Sequence, residues 1–355
     1  MTYLLVDTCS TGHHLTYIMS IARACAKDSK VIILMPKIED TSMIEGQENI
    51  LYTVIEKGKY GSLLKQVKNI VKEKKVDIVH FVYADAFMKY FGYGLSGIQC
   101  KVVLTFHQIR NSKLRVFSRK RMFEKVDCGV VHTKSILMQL NKDGIKNVKH
   151  IEYPYFQSVS QIDQDYAREV LGISKSVPVL LALGGTRYDK GIDLLLKALN
   201  KVKEPFFLLI AGKEQDIKID EIKAASSGYS QNVKMIMKFL TDEEFELCLS
   251  ASDFVVLPYR KCFDGASGPL GEGVAYGKVI IGANHGSLGQ LIEDNHLGYT
   301  FESENTEHMA SVISAALKNP YEKQSEYRKY QEQLRPERFQ DEYMQLYADL
   351  MKTNR

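Results

Sequence analysis

Three glycine-rich stretches in the second half of this 355-residue chain carry side chains able to meet an anion. The first, GGTRYDKG over 184–191, places Arg187 and Lys190 between a strand-like run and a helix-like one. Cations at a helix start reinforce backbone amides and a helix dipole that already favour negative charge. The spacing fits neither G-x-G-x-x-G nor G-x-x-x-x-G-K-S/T, which argues against a dinucleotide fold or an ATPase loop. The second stretch, FDGASGPLGEGVAYG over 263–277, sets Asp264 and Glu272 eight residues apart around Gly265, Gly268 and Gly271. Pro269 suits a first helical turn, with Gly268 at or near the cap. Amides from Gly268 to Leu270 would then point at a bound phosphate, and Glu272 could accept bonds from sugar hydroxyls. The third stretch, GANHGSLGQLIED over 282–294, carries Gly286, Ser287 and Leu288 and would either close over a ligand or form a surface turn. The plain alternative for the first two stretches is a strand-to-helix connector.

The first half offers fewer such groups. Gly12 follows the first apolar run and would let backbone approach a phosphate. His13 and His14 come next, without the H-E-x-x-H pattern of a metal site. His107 ends another apolar run, where it would either bind a sugar or cap a buried strand; His132 occupies a similar place. A D-x-D pair, Asp163 and Asp165, precedes a helical pattern, so a cap and first-turn role is expected rather than metal binding.

The elements that must hold these groups are short apolar runs alternating with helical patterns, which predicts parallel α/β architecture. Strands are expected over 3–6, 31–35, 78–82, 102–106, 128–131 and 151–154. After a polar, aperiodic linker over 156–164, strands recur over 179–183, 206–211, 233–237, 254–258 and 279–282. The expected organisation is an acceptor-side domain over 1–155, a donor-side domain over 165–330, and a terminal helix over 335–355 returning to the first. Ligands of such sheets bind at strand carboxyl ends, so two facing sheets would define a cleft.

A chain of this length has material for two cores, with 45% hydrophobic and 25% charged residues. The net charge of +4 does not call for nucleic acid. Six cysteines without a C-x-x-C pair fit reduced thiols in a cytosolic protein. The first residues read as a strand rather than a signal peptide, and no run approaches the roughly 18 residues that span a bilayer. From Arg110 to Lys125 seven basic residues stand against one acid, interleaved with Leu114, Val116, Phe117, Met122 and Phe123. That mixture suits either an interfacial segment at anionic lipid or a helix with its apolar stripe in the core.

Together these loops resemble glycosyltransferase family 4, whose members are retaining enzymes of the GT-B fold. The likeness is strongest over 178–301. The family's E-x7-E motif and following small-residue helix correspond to Asp264 and Glu272, then Gly273 to Gly277 and the strand over 279–281. Its Arg/Lys phosphate pair corresponds to Arg187 and Lys190, and its N-terminal-domain histidine to His107 in VVLTFHQI. Asp264 departs from the motif by one methylene. The resemblance implies two Rossmann-like domains facing across a cleft and sugar transfer from a nucleotide-diphosphate sugar to a glycan or lipid-linked acceptor. It implies no metal or other cofactor and no nucleic acid; the enzyme is expected in the cytoplasm, with 110–125 either reaching an anionic membrane surface or packing on the core. Asp264, Glu272 and His107 would touch the reacting sugar or nucleotide. Gly12, Arg187, Lys190, Gly268, Pro269 and Leu270 would hold the donor. A nucleotide-sugar epimerase and a non-catalytic nucleotide-sugar-binding subunit stay open as alternatives.

Overall fold

A computed structural model describes residues 1–10, 14–39, 41–56, 59–109, 112–157, 159, 162–263 and 266–353. Gly12, His13, Arg110, Asp264 and Gly265 lie outside the described residues. The chain divides into two compact units, one of residues 1–156 with 336–355 and one of residues 157–335.

The first unit runs β1 (Thr2–Val6), α1 (His14–Ala26), β2 (Lys30–Met35), β3 (Ile50–Val54), α2 (Tyr60–Lys74), β4 (Ile78–Phe81), β5 (Lys101–Phe106), α3 (Lys113–Phe123), β6 (Cys128–Val131), α4 (Lys134–Lys142) and β7 (Val148–His150). All seven strands are parallel, in the order β3-β2-β1-β4-β5-β6-β7. The chain moves outward from β1 through β2 and β3, then returns to lay β4 on the other side of β1. That reversal is the switch point at which open α/β sheets form a ligand crevice. Strands covered on both faces read as unbroken apolar runs, as in the buried VIILM of β2.

The second unit runs α5 (Gln164–Leu171), β8 (Val179–Leu183), α6 (Ile192–Leu199), β9 (Phe207–Ala211), α7 (Ile219–Ala225), β10 (Val233–Ile236), α8 (Asp242–Ala251), β11 (Phe254–Leu257), α9 (Gly268–Ala275), β12 (Val279–Ala283), α10 (Gly286–Asp294), β13 (Gly298–Phe301), α11 (Thr306–Lys318) and α12 (Ser325–Gln333). Its six parallel strands stand in the order β10-β9-β8-β11-β12-β13, with the switch point between β8 and β11. Asp163 caps α5, its Oδ1 accepting the amides of Asp165 and Tyr166 at 3.0 and 3.1 Å. Finally α13 (Pro336–Lys352) rejoins the first unit. It buries Phe339, Tyr343, Leu346 and Tyr347, a spacing that lines one helical face.

Several elements differ from the sequence expectation. The edge strand β3 leaves Leu51 and Val54 exposed, so no continuous apolar run announces it. The last strand of the first sheet is β7 at 148–150, while 151–154 continues as coil. The edge strand β13 opens on Gly298, where an added Cβ would stand 2.0 Å from the Ile280 carbonyl oxygen. The polar helix α12 buries only Tyr327 and Tyr330.

Candidate functional site

The loop after β8 and the loop after β11 flank the second sheet's switch point. Gly191 ties them together: its φ is +65°, and an added Cβ would stand 2.0 Å from the Pro258 carbonyl oxygen. Only a residue without a side chain allows that approach. Arg260 strengthens the tie. Its amide donates to the Asp189 carbonyl at 2.9 Å, and its guanidinium bonds the Tyr188 carbonyl and pairs with Asp193 at 2.7 Å. The recess between the loops is lined by Gly184, Gly185, Thr186, Lys190, Pro258 and Tyr259 among others.

Lys190 ends the single helical turn Tyr188–Lys190 that precedes α6. Its Nζ lies 3.9 Å from the centre of the Tyr259 ring and 4.4 Å from that of Phe263. Aromatic faces attract a cation but hydrate it poorly. Burial, followed by the neighbouring Arg187 charge, pushes its pKa down to about 8. Arg187 is exposed and donates to both carboxylate oxygens of Asp189, at 2.9 and 2.8 Å. Tyr259 is itself fixed, its hydroxyl 3.0 Å from Ser267 Oγ and its carbonyl accepting Ser303 Oγ at 3.0 Å.

At the start of α9, Ser267 is the cap and its Oγ accepts the Leu270 amide at 3.3 Å. Pro269 has no amide hydrogen, and the Gly271 amide donates to the Ser267 carbonyl at 3.4 Å. Of the amides expected to face a phosphate, that of Gly268 alone keeps no partner among the described residues; Leu270 already spends its own on the cap. Glu272 turns its carboxyl back toward the helix start, with Oε1 3.2 Å from where a Cβ on Gly268 would stand. Burial pushes the Glu272 carboxyl up to about 7, against the opposing pull of Lys190. Pro269 Cγ lies 3.9 Å from a Cβ built on Gly184, so both loops converge here. In the third stretch Gly286, Ser287 and Leu288 form the first turn of α10, which His285 precedes as its cap.

The first unit carries its own polar cluster at the carboxyl ends of β1, β4 and β5. Asp7 accepts the Cys9 amide on Oδ1 and the ring of His14 on Oδ2, both at 2.9 Å. That bond raises the His14 pKa above its ordinary value. The Tyr83 ring stands 4.4 Å from His14 and 4.4 Å from His107, stacked on the latter. Asp85 accepts the amides of His107 and Gln108 at 3.2 and 2.7 Å, and burial lifts its pKa to about 6. His107 Nε2 lies 3.0 Å from the Val82 carbonyl, which can only accept, so Nε2 carries the proton. Burial lowers the His107 pKa to about 4, leaving a neutral ring whose Nδ1 is a hydrogen-bond acceptor.

Residues 163–334 match the sequence model of the family described as glycosyl transferases group 1. The chain is a glycosyltransferase. Over 99% of both chains, with a TM-score of 0.78 and 19% identity, it is similar to a glycosyltransferase from Rickettsia africae ESF-5. It is similar to HepE of Anabaena, solved in complex with UDP, over 98% of this chain and 100% of that one, with a TM-score of 0.78 and 14% identity. A sucrose-phosphate synthase from Thermosynechococcus elongatus superposes with a TM-score of 0.68 at 16% identity, over 99% and 100% of the two chains. The two parallel-sheet α/β units of this glycosyltransferase are those of the GT-B fold.

Of the residues singled out by sequence, the structure gathers Lys190, Gly268, Pro269 and Glu272 around one recess of the glycosyltransferase's second unit. Arg187 is close by but engaged with Asp189, and His107 lies in the first unit. Sequence reasoning missed the aromatic seat of Lys190 formed by Tyr259 and Phe263, because coil aromatics carry no periodic signal. It also missed Asp7 as the partner of His14, and Tyr83 and Asp85. The only signal these shared was their position just past an apolar run.

Proposed function

We propose that the enzyme is a retaining glycosyltransferase of family 4 that moves a sugar from a nucleoside-diphosphate donor held in the recess between the β8 and β11 loops. The observation that carries this is the meeting of Lys190 with Glu272 beside the Gly268 amide, at a switch point. As the anomeric C–O bond breaks, charge grows on the departing diphosphate, and a cation fixed beforehand stabilises it without reorganisation. Lys190, seated on two rings and short of water, fits that demand. Arg187 adds to it by exchanging Asp189 for a phosphate. Glu272 accepts bonds from the ribose hydroxyls. Asp264 contacts the sugar, and Gly12 allows backbone to approach the donor. His107, locked as an acceptor on Nδ1, takes a bond from a sugar hydroxyl and cannot serve as a proton donor.

On this reading the acceptor hydroxyl attacks the face the diphosphate leaves. Its oxygen forms the new bond to the anomeric carbon, and a departing phosphate oxygen takes its proton. Fixed cations replace a metal. The UDP and UDP-glucose complexes of HepE make uridine diphosphate sugars the first donors to try. The acceptor is a glycan or a lipid-linked sugar, and α3 brings the enzyme to an anionic membrane surface. Calorimetric titration with UDP and UDP-glucose in EDTA tests the core of the proposal. Binding by the parent, weakened about tenfold or more in Lys190→Ala and in Glu272→Gln, is expected from loss of charge-assisted bonds. Undiminished binding by both variants sinks it.

A further inference from the structure

A chain of hydrogen bonds crosses the core of the first unit from α13 to the coil after β7. The Tyr347 hydroxyl lies 2.7 Å from His80 Nδ1, and His80 Nε2 lies 2.7 Å from Thr105 Oγ1. Thr105 Oγ1 is 3.0 Å from the Tyr343 hydroxyl, which is 2.6 Å from that of Tyr17. The Tyr17 hydroxyl is 2.9 Å from His132 Nε2, and His132 Nδ1 is 2.7 Å from the Ile151 carbonyl oxygen. All six side chains are buried.

The direction of the whole chain follows from its last member. A carbonyl oxygen only accepts, so His132 carries its proton on Nδ1. Complete burial disfavours the charged ring of both His80 and His132, so each holds one proton. His132 Nε2 is then a bare acceptor, and Tyr17 must donate to it. Tyr343 must in turn donate to Tyr17, Thr105 to Tyr343, His80 Nε2 to Thr105, and Tyr347 to His80 Nδ1. In that direction alone all six contacts are hydrogen bonds.

Two members of this chain touch His107. Its ring centre lies 5.1 Å from Tyr17 and 4.9 Å from His132. Among the described residues the ring of His107 bonds only through Nε2, so the rings around it set its tilt. We infer that Tyr343, from the C-terminal helix, is a positioning residue for the transfer reaction: its hydroxyl holds Tyr17 and His132 in the arrangement that presents His107. The kinetic part of this rests on His107 binding a sugar hydroxyl, as proposed; the direction of the chain does not.

Tyr343→Phe keeps the ring and removes the central hydroxyl. Thr105 then loses its acceptor at 3.0 Å, and either direction of the remaining Tyr347–His80–Thr105 segment satisfies two bonds. His80 is therefore expected to populate both tautomers in the variant, against Nε2–H alone in the parent. His132 should stay Nδ1–H in both. Nitrogen-15 NMR of the full chain, with ring signals assigned through single-histidine variants, reads this without any substrate. A parent His80 protonated on Nδ1, or one unmoved in Tyr343→Phe, overturns the inference.

The second readout is turnover of UDP-glucose. Tyr343→Phe should lower kcat by about ten- to a hundredfold at unchanged KM, the scale of a small misplacement. Tyr347→Phe, which removes a buried hydroxyl from the far end of the same chain, should leave kcat within about twofold. Equal losses in the two variants, or a changed KM in Tyr343→Phe, would mean a merely structural role. A parent that does not turn over UDP-glucose counts against the proposed donor, and the tautomers then decide the chain by themselves.

Discussion

Lys190 and Glu272 carry opposite charges in one recess, and burial works against both. Glu272 binds its proton more tightly folded than unfolded, since its pKa rises from an ordinary 4.5 to about 7. Its contribution to stability is therefore fully present below pH 4.5 and is lost as pH rises through about 7. For Lys190, lowered from 10.5 to about 8, the sign reverses: the contribution is present above 10.5 and is lost as pH falls through about 8. Between about pH 7 and 8 both groups are charged, a state that folding disfavours and that, on the proposed reading, a diphosphate and ribose would relieve. If, as proposed, donor capture needs the ammonium and the carboxylate together, kcat/KM for donor should be a narrow bell with macroscopic limbs near 7 and 8. Lys190→Arg should carry the alkaline limb upward, and Glu272→Gln should abolish the acid limb. Thermal unfolding gives a second check: Glu272→Gln should gain on the parent as pH climbs from 5 to 8. A bell unmoved by either substitution would remove both residues from the donor site. His107, held neutral with a pKa near 4, should contribute no limb between pH 5 and 9, so His107→Ala should lower the whole profile without shifting it.

At the scale of elements, what the sequence made legible was what is repeated along one segment. The central strands are buried on both faces and read as unbroken runs, whereas β3 and β13, at sheet edges, alternate or begin with glycine. The glycine loops were legible as close approaches of backbone, as Gly191 against the Pro258 carbonyl shows. What they hold was less so. Leu270 looked free to offer its amide, but Ser267 takes it, and Arg187 looked like a spare cation, but Asp189 two residues on claims it. Both neighbours are polar residues whose direction is set only by the turn. Helix α3 shows the same limit. Its Arg119 is buried and pairs with Asp143 at 2.7 Å, while Met122 and Phe123 enter the core. The outward face keeps Lys113, Lys120 and Arg121 with Leu114 and Phe117, which are 65% and 55% exposed. Two large apolar side chains among cations are what an interfacial helix inserts into an anionic surface. Flotation with vesicles containing phosphatidylserine should show salt-sensitive binding by the parent and its loss in Leu114→Glu with Phe117→Glu. A parent that stays with the soluble fraction at low salt ends the membrane reading.

At the scale of the molecule, the order of elements along the chain does not follow the order of its cores. Residues 157–335 close on a core of their own, around β8 to β13. The first unit is completed only when the last twenty residues return to it, because Phe339, Tyr343, Leu346 and Tyr347 belong to the cluster that covers one face of β1, β2 and β4. Removing them uncovers Tyr3, Ile78 and Tyr17 and takes one hydrogen-bond partner each from His80, Thr105 and Tyr17. Each buried aromatic lost costs about 3–5 kcal/mol, and each buried polar group that loses a partner about 1–3. Their sum approaches the whole stability of a typical domain. A chain ending at Arg335 should therefore lose the unfolding transition of its first unit in calorimetry. The second transition should persist and still move upward with UDP, because Arg187, Lys190, Glu272 and the Gly268 amide, the groups proposed to hold that ligand, all lie within residues 157–335. Loss of both transitions together would show that the second unit does not stand alone; survival of both would show that α13 is dispensable to the core it enters.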